Sequence, residues 1–325
     1  MAGAGPKPWA PTDASRREAG TQLQRLLKMA EAQAPLRTAV VHPVDALSLR
    51  GAVEAGRRGL IEPILIGPAT RVRAAAQVVG LDISALELID VEHSHQAAAR
   101  ACDLAAIGQV AAIMKGALHT DELLEAIVSA SSGLRTDRRM SHVFVLDVPT
   151  YPRPLLVSDA ALNIAPDLET KRDIVQNAID CALAMDIAEP KVAILSAVET
   201  INPKMVSTLD AAALCKMAER GQIVGGRLDG PLAFDNAISP EAAKAKGIQS
   251  AVAGCADILI VPDIEAGNML AKQLFYLSNA QSAGIVMGAR VPIILTSRSD
   301  PEASRLASCA LAILVSQHRP SKYAR

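Results

Sequence analysis

Short apolar runs alternate with helix-spaced apolar positions along almost the whole chain. Runs at residues 38–42, 63–66, 86–90, 110–114 and 143–148 are bounded by turn residues and polar segments, which predicts buried strands. Between them, residues 45–58, 69–79, 94–106 and 120–130 repeat apolar side chains at spacings of three and four, which predicts helices. A proline-rich break, Tyr151-Pro-Arg-Pro154, interrupts the rhythm. It then resumes with strands at 155–158, 192–195, 257–261 and 292–295 and helices at 168–185, 203–219 and 265–280. Another helix, within residues 13–34, precedes the first strand, behind an arm rich in glycine and proline. Regular alternation of this kind predicts an α/β protein whose mostly parallel sheet is covered on both faces. A chain of 325 residues exceeds one ordinary core, so two α/β domains are expected, with the break near 149–154 between them.

Composition narrows the function more than the fold. Basic and acidic residues nearly cancel, 33 against 34, so no polyanion-binding surface is expected. Aromatic residues make up only 2% of the chain, too few for the stacking platforms of single-strand binding, and nucleic acid is excluded as a partner. Cys102, Cys181, Cys215, Cys255 and Cys309 are scattered and form no CxxC pair, which argues for reduced thiols and a cytoplasmic protein. The first twenty residues contain no apolar core of a signal peptide, and no run is long enough to span a bilayer, so no membrane partner is expected.

Candidate chemistry concentrates in Pro292-Ile-Ile-Leu-Thr-Ser-Arg-Ser-Asp-Pro-Glu302, a strand followed at once by a helix start. Such a turn aims backbone N–H groups and the positive helix end outward, where an anion docks. The guanidinium of Arg298 beside it can grip phosphate in a forked, charge-assisted way. Ser299, Asp300 and Glu302 have the spacing of helix caps, but capping accounts for neither Ser297 nor Arg298.

Four other segments carry polar groups next to predicted strand ends. Pro262-Asp-Ile-Glu-Ala-Gly-Asn268 opens a helix; Asp263 reads as its cap, and Asn268 either bonds a substrate oxygen or makes a local backbone contact. Gly221-Gln-Ile-Val-Gly-Gly-Arg-Leu-Asp-Gly-Pro231 with Asp235 is either a structural turn or a close-approach wall, in which Asp229 or Asp235 orients a thiol or pairs with a cation. Arg135, in Gly133-Leu-Arg-Thr136, is either a second positive charge for an anion or a solvated surface residue, and Ser141 either donates to a phosphate oxygen or starts the next strand. Lys115 and Thr120 flank a small-residue loop after a strand. Neither GxGxxG nor GxxxxGK[ST] is present, and His93-x-His95 has no companion at metal spacing.

These motifs together resemble the phosphate acetyltransferase and phosphate butyryltransferase family, with the long stretches around them more similar to the butyryltransferase branch. The resemblance covers nearly everything from about residue 36. It implies an architecture similar to isocitrate and isopropylmalate dehydrogenases, with a cleft between the domains. The arm and first helix would be residues 1–35, the first domain 36–149 plus 284–325, and the second 150–283. It further implies transfer of a short acyl group between coenzyme A and inorganic phosphate by a homodimer or higher homo-oligomer, with no metal and no organic cofactor. Ser297, Arg298 and Asp300 would be catalytic, and Thr296, Asn268, Gly267, Arg135, Ser141, Thr120, Gly230 and Asp235 would bind substrate. Two departures stand out: residues 122–127 lack the arginine usual in the acetyltransferase branch, and Ser304 stands where that branch places an aspartate. The competing readings are a metal-dependent NAD(P) hydroxy-acid dehydrogenase of similar architecture and a non-catalytic acyl-CoA-binding regulator.

Overall fold

The computed structural model describes residues 20–296 and 300–318. Its first half contains α1 (Thr21–Glu31), β1 (Leu36–Val41), α2 (Ala46–Arg57), β2 (Ile61–Gly67), α3 (Ala69–Val78), β3 (Glu87–Asp90), α4 (Ser94–Ala106), β4 (Ala112–Lys115), α5 (Thr120–Val128) and β5 (Ser141–Asp147). Next come β6 (Leu155–Ser158), α6 (Leu168–Ala184), β7 (Lys191–Leu195), α7 (Val206–Glu219), β8 (Arg227–Leu232), α8 (Phe234–Ile238), α9 (Pro240–Ala245), β9 (Ile258–Ile260) and α10 (Ile264–Leu277). The last elements are β10 (Gln281–Met287), β11 (Ile293–Ile294) and α11 (Glu302–His318).

The eleven strands form one sheet, in the order β3-β2-β1-β4-β11-β10-β5-β6-β9-β7-β8. This corrects the expectation of two separate sheets. Strands β3 to β11 in that order are mutually parallel, as are β6, β9, β7 and β8. Antiparallel pairing at β11–β10, β10–β5 and β5–β6 joins the two blocks. The element that stitches them is β10, which the sequence pattern hides because Gln281-Ser-Ala-Gly284 has weak strand character. The other strand missed, β8, is an edge strand, the setting in which Pro231 costs no ladder hydrogen bond. After β10 the chain turns back to pair β11 with β4, and α11 then packs against α1, α2 and α6.

Helix cover differs between the two faces, and that difference makes the cleft. On one face α1, α2, α3, α11, α6 and α7 share a continuous core, from Leu26 and Leu49 through Leu311 to Ile174 and Leu214. Helix α11 lies in the middle of this layer, with every residue from Ser304 to Val315 buried. On the other face two cores stand apart. Ala101, Leu104, Leu123 and Ile127 of α4 and α5 cover Val41, Ile113 and Ile293. Ala237 of α8, with Leu270 and Leu274 of α10, covers Leu146, Val157 and Leu259. Between the two lies the region over β5 and β10, where the floor residues His142 and Phe144 border a cavity.

Candidate active site

That cavity has a volume of about 910 Å³. Its polar wall comes from the carboxyl ends of two adjacent parallel strands, a common seat for ligands in open α/β sheets. Strand β4 ends in Lys115, only 4% exposed, and leads through Leu118 and His119 to Thr120 at the start of α5. Strand β11 leads to Thr296, 5% exposed. Asp300 and Ser304, before and within the first turn of α11, line the same wall. The opposite wall is one face of α10, with Asn268, Ala271, Lys272 and Phe275. Asp263 caps that helix by accepting the Ala266 N–H at 2.9 Å, as the sequence suggested.

A second cavity of about 760 Å³ adjoins the first and shares Asp121 and Ala161 with it. It is lined by Arg135, Arg138, Arg139 and Arg172 among several carboxylates. Arg138 pairs with Asp180 and Arg172 with Asp173, whereas Arg135 and Arg139 are exposed and make no ion pair among the described residues. Two guanidiniums therefore remain available to an anionic ligand in this cavity.

The structure gathers some of the sequence candidates and scatters others. Thr120, Asn268, Thr296 and Asp300 meet in the larger cavity, and Arg135 stands in the adjoining one. Asn268 makes a backbone contact that is not the local one foreseen: it donates to the carbonyl of Ala160, beyond the end of β6, at 3.2 Å. Gly267 lines neither cavity. A Cβ there would lie 2.8 Å from the Asp159 carbonyl oxygen, so the glycine lets α10 press against the end of β6. Ser141 is fully buried on the opposite face of the sheet, where it accepts from Asn177 Nδ2 at 2.9 Å; strand alternation turns it away from His142 and the cleft. Gly230 and Asp235 lie at the far edge. Gly230 packs its α-carbon against Ile194 and Ala211, and Asp235 sits 3.7 Å from Lys246 in a surface cluster. The expected glycine-rich wall is thus an edge strand, with no residue in either cavity. Ser297, Arg298 and the cap assigned to Ser299 lie outside the described residues.

Three residues were given no role by the sequence. Asp159, 2% exposed at the end of β6, accepts N–H groups from His142, Ala161, Leu162 and Asn163. Burial pushes its carboxyl up while these hydrogen bonds pull the other way. It fixes the loop that carries Ala161 between the two cavities. Arg305, 4% exposed in α11, donates from Nη1 to Thr296 Oγ1 at 3.0 Å and so holds the end of β11. The signal was present, a lone charge at the head of an otherwise apolar run in the last helix. His142 is fully enclosed; burial alone lowers its pKa to about 3, which keeps the ring neutral.

Four of the five thiols are poor nucleophiles. Burial raises Cys102 to about 11 and Cys181, Cys215 and Cys309 to about 12, so these four stay protonated near neutral pH. Among the described residues, no three His, Cys, Asp or Glu side chains are grouped to hold a metal ion.

Residues 94–313, which include β4, β11, α10 and both cavities, match the family model described as phosphate acetyl/butaryl transferase. The chain belongs to that family. A phosphate acetyltransferase from Rhizobium meliloti is 58% identical over 92% of this chain and 95% of its own length. A phosphate butyryltransferase from Clostridium acetobutylicum is 41% identical over 87% of this chain and 94% of its own. The crystal structure of a branched-chain phosphotransacylase from Enterococcus faecalis superposes with a TM-score of 0.76 at 29% identity, covering 87% of this chain and 100% of the other. Both acyl names thus occur among the relatives, the acetyl name at the higher identity.

Proposed function

We propose that the protein moves a short acyl group between coenzyme A and inorganic phosphate by direct displacement in this cleft. The observation that carries the proposal is the convergence of Lys115, Thr296, Asn268 and Asp300 around one cavity that opens onto Arg135 and Arg139. A phosphate oxygen attacks the thioester carbonyl, the new C–O bond forms, the C–S bond breaks, and the departing sulfur of CoA takes up a proton. Holding both reactants side by side lowers the barrier, because it removes the entropy of encounter. Cationic and N–H or O–H donors then stabilise the tetrahedral oxyanion.

In this reading Lys115 and Thr296 face the phosphate with Ser297 and Arg298, the two residues assigned by family resemblance. Thr120 adds a hydroxyl at the start of α5, where the helix dipole favours negative charge. Asn268 donates to the thioester carbonyl. Asp300, which lines the cavity, exchanges the thiol proton, a role for which Asp235 at the sheet edge is too remote. The anionic end of CoA occupies the adjoining cavity against Arg135 and Arg139. No metal or organic cofactor takes part. The reading also places the protein in the cytoplasm as a homo-oligomer; among the described residues no helix is long and apolar enough to cross a membrane.

The test is release of free thiol by the purified protein from acetyl-, propionyl-, butyryl- and isobutyryl-CoA, each with and without phosphate. Release is expected only when phosphate is present. If none of the four thioesters yields thiol in phosphate buffer, the proposed function is wrong.

A further inference from the structure

The chain is poor in aromatic residues, yet two of its three phenylalanines, Phe144 and Phe275, line the larger cavity. They are joined by His142 into a ladder of rings. The centroids of His142 and Phe144 lie 4.3 Å apart at an interplanar angle of 73°, and those of Phe144 and Phe275 lie 5.4 Å apart at 80°. Both contacts are edge-to-face, the arrangement that ring quadrupoles favour.

The ladder is built into the sheet. Its first ring lies over Gly284 of β10, the strand paired with β5. A Cβ at position 284 would sit 2.6 Å from the Leu295 carbonyl oxygen and 3.0 Å from His142 Nε2, so any larger residue would expel the ring. Both ring nitrogens of His142 are buried and find no hydrogen-bond partner among the described residues. Unpaired burial of this kind is costly for a group that serves only as filler. The enclosed imidazole acts here as an apolar plate that supports Phe144 from below.

The last ring belongs to the cavity wall of α10. Asn268, Ala271 and Phe275 follow one another at spacings of three and four on the face of α10 that lines the cavity. Asn268 and Phe275 are separated by about 10 Å along the helix axis. Both side chains lean toward the helix N-terminus, and the Phe275 ring, the larger of the two, closes the end of the space between them. A carbonyl held at Asn268 would point its acyl chain along this face of α10, with the ring at its end.

We propose that the His142–Phe144–Phe275 ladder is the end wall of the acyl pocket, and that Phe275 sets the longest acyl chain the protein accepts. The proposal rests on the phosphotransacylase reading above and adds to it the residue that limits the substrate. One methylene more or less in an apolar pocket changes kcat/KM by roughly 10–200-fold. Opening the wall should therefore move the preference by a comparable factor.

The experiment measures phosphate-dependent kcat/KM for acetyl-, butyryl- and hexanoyl-CoA with the wild-type protein, Phe275→Ala and Phe275→Trp. Phe275→Ala should raise the ratio of hexanoyl-CoA to butyryl-CoA at least tenfold, a gain that a misfolded protein cannot produce. Phe275→Trp should lower the ratio of butyryl-CoA to acetyl-CoA. If Phe275→Ala fails to fold, Phe275→Leu makes the same test with a smaller shift in the same direction. An active wild type whose chain-length profile is unchanged in these variants overturns the ladder proposal and leaves the acyl-transfer reading standing. A wild type inactive on all three thioesters overturns both.

Discussion

Asp159→Ala is expected to lower the free energy of unfolding by about 3–5 kcal/mol, the largest stability effect of any single polar residue near the cleft. Oδ1 of the buried carboxylate accepts the N–H groups of His142, Ala161 and Leu162 at 3.2, 3.0 and 3.1 Å. Oδ2 accepts the Asn163 N–H at 3.1 Å and also its side-chain amide. Truncation strands all of these donors in a place that is 2% exposed at Asp159 itself. Asp159→Asn should cost less, because one oxygen survives while an NH₂ group now faces the Asn163 donors. Denaturant midpoints of the two variants, taken with their slopes, give the comparison. An Asp159→Ala protein within about 0.5 kcal/mol of wild type would show that this network contributes nothing to the loop.

Arg298→Lys carries the largest expected effect on activity. The prediction comes from the sequence motif and the resemblance, and Thr296 and Asp300, the nearest described residues on either side, both line the cavity. Lysine keeps the charge but loses the planar fork that meets two phosphate oxygens at once. A loss of about 2–4 kcal/mol in transition-state stabilisation is expected, similar to removing one oxyanion donor. The unfolding midpoint should stay unchanged. Near-normal kinetics in both Arg298→Lys and Arg298→Ala, in folded protein, would reduce the residue to a surface charge.

Most elements could be read from the chain because their apolar periods were clean. Helix α4 was expected at residues 94–106 and is found at Ser94–Ala106, and β6 was expected at 155–158 and is found at Leu155–Ser158. Segments whose residue choice serves packing rather than propensity were not legible. Gly284 weakens the strand signal of β10 because its missing side chain makes room for the His142 ring. Gly230-Pro231 looks like a turn but belongs to an edge strand, where its ladder penalty vanishes. Thr120, Asn268, Thr296 and Asp300, singled out by the motifs and the resemblance, lie around one cavity. Ser141 takes the second of its two readings and starts β5; which face it meets was not legible, because the face of a strand is set by register with its neighbours and a one-residue step reverses it. Asp159 and Phe275 act through contacts with distant parts of the chain, which no local pattern records.

Direct displacement requires both substrates to occupy the cleft together, with no acyl group passed to the protein. Exchange of labelled CoA into unlabelled butyryl-CoA tests this directly. Direct displacement predicts no exchange in phosphate-free buffer and rapid exchange once phosphate is added, through acyl phosphate formed and consumed in the same cleft. Exchange without phosphate at a comparable rate would require an acyl-enzyme intermediate and contradict the account.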